Sequence, residues 1–126
     1  MNNELENFIE DWFWDKNSYQ FAQEIGLFLF QFLDNLKGKG ISAQTIRKHS
    51  SNCWLIGKFE CDYGYHESFT PAIFEYEYAD HLDEFKRKVS DSKYAIESYK
   101  ATRKKISQYV KSLKNKDEIG DEKKET

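Results

Sequence analysis

The chain has 126 residues, a formal net charge of −3 at pH 7 and 33% charged residues, which fits one domain built around a single hydrophobic core. An aromatic content of 17% accompanies only one proline and six glycines, which favours helices over a turn-rich β architecture. No apolar run approaches the roughly 18 residues that cross a bilayer, and the acidic first residues do not resemble a signal peptide. Because two cysteines are also too few for a disulfide scaffold, we expect a cytoplasmic protein without a membrane partner.

The first two predicted elements are amphipathic helices. The apolar residues of the first helix recur at the spacing of one face: Leu5, Phe8, Ile9, Trp12 and Phe13. In the second, Asn17 is the predicted cap, with Gln20 completing a capping box. Its core stripe consists of Phe21, Ile25, Phe28, Leu29, Phe32 and Leu36.

The second helix has further apolar residues outside this stripe, namely Leu27, Phe30 and Leu33. A helix that is apolar on nearly every side is either central in its fold or covered by a partner, because so much apolar surface is seldom left in water. We favour the central position. The three residues are nevertheless our candidates for a protein interface.

A third helix is predicted from about Ala43 towards Cys61. Gly38 and Gly40 are placed to end the helix before it, and Ser42 is placed to cap the new one. Ile41 and Ile46 have the spacing of a hydrophobic staple across that cap.

Two more helices follow a loop. Thr70 and Pro71 predict the start of the fourth, and Phe74, His81 and Phe85 keep helical spacing along it. Alternation of aromatic and acidic residues makes a short strand over 73–78 the alternative there. The last helix is predicted from about Ser92 to Leu113, with Tyr99, Ile106, Tyr109, Val110 and Leu113 facing inward and its lysines facing outward. Residues 114–126 are predicted to form a disordered charged tail, so the domain spans 1–113.

Charge is arranged in blocks along the chain. Residues 1–36 carry seven acidic residues and one basic residue, whereas residues 37–59 carry five basic residues and none that are acidic. Residues 60–85 carry eight acidic residues and no basic ones, and residues 86–116 carry eleven basic and two acidic residues. The net charge argues against a constitutive nucleic-acid binder, yet this segregation leaves two basic segments that can form a local patch.

The first basic segment is concentrated at the start of the third helix, where the helix dipole is already positive. A phosphate there would meet backbone N–H groups, lysines and hydroxyl groups together. The candidate DNA-binding residues are Lys37, Lys39, Ser42, Thr45, Arg47 and Lys48 from this region, and Lys100, Arg103 and Lys104 from the last helix. The alternative is that basic and acidic helices face one another in solvated ion pairs, which are worth little individually.

The residues Phe32, Leu33, Leu36, Gly40, Ile41, Ser42, Thr45, Ile46 and Arg47 resemble a stretch of about 30 residues in a known family. It is the N-terminal core-binding, SAM-like helical domain of phage integrases and other tyrosine recombinases, which has an apolar helix, a glycine, a small cap and then Thr-Ile/Val-Arg. The resemblance implies a compact DNA clamp of four or five helices, with the helix opened by Ser42 lying against the duplex. It implies no catalysis, because that family's active site lies in a second domain.

Catalytic and metal sites have little support in the sequence. His49, Cys53, Cys61 and His66 are a hypothetical zinc set, but buried cysteines are the commoner explanation of this spacing. His81 is interpreted as an interior histidine, and no nucleophile–base set or phosphate-binding loop stands out. We therefore predict an all-α, non-enzymatic module of about five helices that needs no cofactor and binds duplex DNA. The alternative is a protein-interaction module, either a homodimer or an acidic-surface inhibitor from a mobile element.

Overall fold

The computed structural model describes residues 3–77 and 79–125, with side chains for residues 4–77 and 79–115. Five α-helices lie within these ranges: α1 (Asn3–Ile9), α2 (Lys16–Gly38), α3 (Ala43–Tyr63), α4 (Leu82–Lys88) and α5 (Lys93–Glu125). A short 3₁₀ turn covers Pro71–Phe74. No strand occurs in the described ranges, which confirms the all-α prediction. The alternative strand over 73–78 is not found in residues 73–77, and Tyr78 lies outside the described residues.

Helix α1 is shorter than predicted and ends before Trp12. The Trp12 N–H donates to the carbonyl oxygen of Ile9 at 2.8 Å, and the indole is fully buried. Its ring packs against Gly57 of α3, where an added Cβ atom would lie only 2.1 Å from the Trp12 ring. A glycine at this position therefore lets the segment after α1 pack closely against α3.

Helix α2 begins two residues before the predicted position. Asp15 is the N-cap and accepts a hydrogen bond from the Ser18 N–H at 2.8 Å, while the Asp15 N–H donates to Ser18 Oγ at 3.0 Å. The predicted box of Asn17 and Gln20 is therefore wrong. Asp and Asn are about equally good caps, so local preference alone does not distinguish the two positions.

Helix α2 is the centre of the core, as we favoured. All six residues of its predicted core stripe are buried, and α1 and α3 pack against it. Of the candidate interface residues, Leu33 is buried and Phe30 is half-buried, with its ring 5.0 Å from that of Phe8. Only Leu27 is exposed, so the three do not form a free apolar face.

The start of α3 follows the prediction. Gly40 has a φ of +78°, which suits glycine, and the Thr45 N–H donates to Ser42 Oγ at 3.3 Å. Helix α3 packs between α2 on one side and α5 on the other.

The fourth helix differs most from the prediction. Thr70 and Pro71 open only the 3₁₀ turn, and α4 starts at Leu82, after His81 in a left-handed conformation with a φ of 63°.

Helix α5 continues to Glu125, so the boundary predicted at Leu113 is too early. The side chains of most of the predicted tail, residues 116–126, lie outside the described part of the chain. Among the described helices, none combines the length and apolarity needed to span a bilayer.

Candidate nucleic-acid interface

The two basic segments meet where α3 packs against α5. The contact is polar and buried: His49 Nδ1 lies 2.7 Å from Thr102 Oγ1, and Asn52 Nδ2 donates to the same oxygen at 2.9 Å. Asn52 Nδ2 also lies 3.1 Å from Ser98 Oγ. These bonds satisfy polar groups that would otherwise be costly to bury, and they fix the rotation of α5 relative to α3.

His49 contributes to this contact in its neutral form. Burial lowers the pKa of its imidazole below the ordinary value of 6.5, and the nearby Lys105 ammonium lowers it further. A neutral His49 can donate or accept at Thr102 without a buried charge. The positive charge of the contact region is therefore carried by lysines at its edge.

Lys48 and Tyr94 join the two helices at the surface. The Lys48 Nζ atom lies 5.2 Å from the centre of the Tyr94 ring and donates a hydrogen bond to its hydroxyl oxygen. Tyr94, at the start of α5, is 68% exposed. The N-terminal half of α3 and the first turns of α5 thus share one accessible edge.

Most of the sequence-predicted site residues are accessible. Lys37, Lys39, Arg47 and Lys48 are exposed around the turn between α2 and α3. Ser42 is also exposed and Thr45 is half-buried, and their hydroxyl groups are already bonded to each other at 3.0 Å. Lys37 forms a weak ion pair with Asp34 at 3.8 Å, which leaves most of its charge in solvent.

The exposed lysines of α5 form a row along its outer side. Lys93, Lys100, Lys104 and Lys111 recur at spacings of seven, four and seven residues, which correspond to one helix face, and all four are exposed. At the far end of this row, Lys111 lies 3.6 Å from Glu77, and Lys114 pairs with Glu75. The pairing of basic and acidic segments that we considered as the alternative therefore occurs at this end of α5.

Arg103 is not on the surface, which corrects its assignment as a phosphate contact. Its side chain is 2% exposed, with Nη1 donating to the Phe74 carbonyl oxygen at 3.2 Å and Nη2 to that of Ile73 at 3.4 Å. The guanidinium carbon lies 5.0 Å from the centre of the Phe74 ring. Arg103 therefore anchors the 3₁₀ turn to α5 and is excluded from any solvent-facing site.

Comparisons with known proteins neither support nor contradict the resemblance to recombinase domains. The chain matches no family model, no curated protein and no solved structure.

The hypothetical zinc set is dispersed in the structure. His49 is bonded to Thr102, Cys53 is fully buried, and His66 Nε2 pairs with Glu60 at 2.8 Å. Burial raises the pKa of the Cys61 thiol to about 12, so it stays protonated at neutral pH. Within the described residues, no group of three or more His, Cys, Asp or Glu side chains is arranged to hold a metal ion.

A buried carboxylate with two histidines was not foreseen from the sequence. Glu60 is almost fully buried, with His66 Nε2 at 2.8 Å and His81 Nε2 at 3.4 Å from its two oxygens. Burial acts to raise the pKa of Glu60, but the bonds from His81 and His66 outweigh it and the pKa is lowered. His81 and Glu60 are separated by the whole loop after α3, so helical spacing does not connect them.

Two residues of the candidate interface were also missed. Lys105 is half-buried beside His49, and Tyr94 supports Lys48. A signal for Lys105 was present, because it directly follows Lys104 in the most basic stretch of the sequence. Tyr94 had none, since its role depends on a lysine 46 positions earlier in the chain.

Proposed function

We propose that this protein is a non-catalytic helical module that binds duplex DNA through phosphate contacts. The observation that carries the proposal is the Lys48–Tyr94 contact, which joins the two basic segments at one accessible edge. Because phosphate contacts depend on several cations reaching the same backbone, this convergence is the geometric condition that the proposal requires.

The proposed surface is centred on the exposed side of the N-terminal half of α3. Lys37 and Lys39 flank it from the end of α2, Arg47 and Lys48 lie on α3 itself, and Lys104 is exposed on the adjacent helix α5. Successive residues on a helix differ by about 100° in direction, so Arg47 and Lys48 point to the two sides of this surface. Such an arrangement suits the backbone of a duplex lying across α3.

The compact fold supports the proposal in a second way. The buried bonds of His49 and Asn52 to α5 hold the two basic helices at a fixed spacing, so little order has to be gained on binding.

Salt dependence tests the proposal directly. Fluorescence anisotropy with a labelled duplex would be measured between about 50 and 200 mM NaCl, where contact with about four phosphates predicts a loss of affinity of roughly a hundredfold. The double variant Arg47→Glu with Lys48→Glu should weaken binding by at least about tenfold at the lower salt. Lys100→Glu with Lys104→Glu should weaken it too, because both lysines belong to the exposed row on α5.

A matched control is available on α4. Lys86 and Arg87 are also adjacent and exposed, so Lys86→Glu with Arg87→Glu changes the net charge by the same amount at a different place. This pair should leave affinity within about threefold of the parent protein. Equal losses for both pairs, or binding that does not respond to salt, would contradict a defined phosphate-binding surface.

For the dimer alternative, the three candidate interface residues do not form a comparable exposed surface. Leu33 is buried and Phe30 packs on Phe8. Of the three, only Leu27 is exposed, with 47% of its surface in solvent. Leu27→Asp should accordingly leave the sedimentation coefficient unchanged, whereas a shift to a smaller species would revive the dimer hypothesis.

A further inference from the structure

A cleft lies at the other end of α3, away from the basic surface. It has a volume of about 660 Å³ and is formed by the first turns of α2, the last turn of α3 and the loop that follows. Cys61 is 14 residues beyond Arg47 on α3, which corresponds to roughly 20 Å along the helix. The cleft is therefore separate from the proposed DNA-binding surface and does not depend on that function.

The cleft is strongly acidic. Its lining includes the five carboxylates of Asp15, Glu24, Glu60, Asp62 and Glu67, and it contains no lysine or arginine. Lys58 reaches Asp62 from outside at 2.9 Å, and Glu60 is engaged with two histidines. Asp15, Glu24 and Glu67 remain on exposed positions, so the field inside the cleft favours a cation.

Aromatic rings form the remaining walls. Trp14 is 69% exposed and Tyr65 is 90% exposed, and both line the cleft. Deeper in, the His66 ring stacks on that of Phe21 with centres 5.4 Å apart, and Phe69 packs edge-on against Phe21 at 6.2 Å. Large rings left in water beside carboxylates are the chemistry that binds organic cations, through cation–π contacts and apolar packing.

Backbone geometry also keeps one of these rings at the entrance. Tyr65 has a φ of 54°, a left-handed conformation that is unfavourable for an aromatic residue. The conformation follows the C-cap of α3 at Gly64, where a Cβ atom would lie 2.6 Å from the His66 ring. The turn thus sends Tyr65 outward while His66 turns inward to Glu60.

We propose that this cleft binds a small organic cation, an amine with an apolar body, between Trp14, Tyr65 and the carboxylates of Glu24 and Glu67. The volume lies within the range of about 300–1,000 Å³ that is typical of small-molecule sites. The carboxylates bind the ammonium group, and the rings of Trp14 and Tyr65 cover its apolar part. A metal ion would gain no coordination from these rings, and an anion would be repelled by the acidic lining.

The test uses the full-length protein with phenethylamine, which is cationic at pH 7, and its neutral analogue 2-phenylethanol. Binding is followed by ¹H–¹⁵N NMR, with the Trp14 indole and the amides of the loop after α3 as reporters. The amine should shift these signals saturably, and the alcohol should require at least about tenfold higher concentration.

Variants locate the site. Trp14→Ala and Glu67→Gln remove one exposed ring and one exposed carboxylate, and each should weaken amine binding by at least about fivefold. The control pair is Tyr76→Ala and Glu97→Gln, an exposed ring and an exposed carboxylate that do not line the cleft, and both should leave amine binding unchanged. Circular dichroism verifies that each variant is folded.

Three outcomes would overturn the proposal. The first is equal binding of amine and alcohol, which would mean apolar packing without charge recognition. The second is binding by an arginine-rich peptide but not by phenethylamine, which would make the cleft part of a protein-binding surface. The third is amine binding that Trp14→Ala and Glu67→Gln leave intact. The result of the DNA-binding test with Arg47→Glu and Lys48→Glu does not affect these three outcomes, because those residues do not line the cleft.

Discussion

The imidazole of His49 lies 2.7 Å from the hydroxyl oxygen of Thr102, and this contact joins the N-terminal half of α3 to the N-terminal half of α5 across 53 residues of sequence. Asn52 donates to the same hydroxyl oxygen, and the Thr102 hydroxyl group donates to the Ser98 carbonyl oxygen at 3.2 Å. Thr102 is thus the shared partner on which the alignment of the two basic helices depends.

Replacement of Thr102 by valine should be destabilising. The change keeps the shape of the side chain but leaves Nδ1 of the buried His49 without its partner, while Asn52 keeps only its bonds to Ser98. This predicts a loss of about 1–3 kcal/mol in the free energy of unfolding. Chemical denaturation followed by circular dichroism measures it. Thr102→Ser should recover much of the loss, and Ser51→Ala on the exposed side of α3 should stay within about 0.5 kcal/mol. A neutral Thr102→Val would show that this bond network does not stabilise the fold.

Arg103 should behave as a core residue. Arg103→Lys removes the paired N–H groups that reach the carbonyl oxygens of Ile73 and Phe74, so we expect a loss of about 2 kcal/mol in the free energy of unfolding. The matched change Lys104→Met alters the exposed neighbour and should cost less than about 0.5 kcal/mol. The opposite order of effects in a denaturation series would place Arg103 outside the core.

Two glycines provide a paired test of the packing around Trp12. Gly57→Ala places a Cβ atom 2.1 Å from the Trp12 ring and should destabilise the protein by about 3 kcal/mol, because neither helix backbone nor a buried indole can move far. Gly38→Ala meets nothing within 4 Å near the end of α2 and should raise stability by a few tenths of a kcal/mol, about 0.5 at most. Thermal melts of both variants check the prediction. Similar melting temperatures for the two would be incompatible with the tight contact.

The pH dependence of stability should report on His81. The hydrogen bond to Glu60 raises the pKa of His81 above 6.5, against the opposing effect of burial, and Asp80 and Glu84 raise it further. A folded-state pKa above the unfolded value means that the stabilisation is complete below pH 6.5 and is lost as the pH rises through the folded pKa.

The variant His81→Gln isolates this contribution. Below pH 6 it should be less stable than the parent protein by about 1 kcal/mol, and the difference should shrink as the pH rises. His49 has the opposite sign, since its lowered pKa adds stability above pH 6.5, and it is present in both proteins and cancels from the difference. A difference that grows with pH would contradict the assignment. Urea titrations at several pH values measure it.

Local patterns in the sequence were sufficient for much of the fold. The 3.6-residue spacing predicted the buried stripe of α2 and the inward positions of Tyr99, Ile106 and Val110, all of which are buried. The Ser42 cap and the turn at Gly40 were also predicted, because caps and left-handed glycines depend on a few adjacent residues. The start of α4 was not, since Pro71 is compatible with both an α-helix and the 3₁₀ turn that forms.

The candidate interface was predictable in part. Block charge located the exposed cations at 37–48 and at Lys100 and Lys104, but helical spacing did not separate Arg103 from its basic neighbours. Arg103 is held by carbonyl groups of the 3₁₀ turn, and that turn is about 30 residues away in the chain. The cleft at the end of α3 had no local signal, because α2 and the loop after α3 form it only when they are folded together.

By itself, the sequence determined the all-α class, the apolar stripe of α2 and the separation of charge into blocks, because these follow from the pattern of residues a few positions apart. Only the tertiary structure decided which cations stay in water and which carboxylate is buried with two histidines. Those outcomes depend on contacts such as His49 with Thr102 and Glu60 with His81, whose partners are brought together by burial of the shared apolar core.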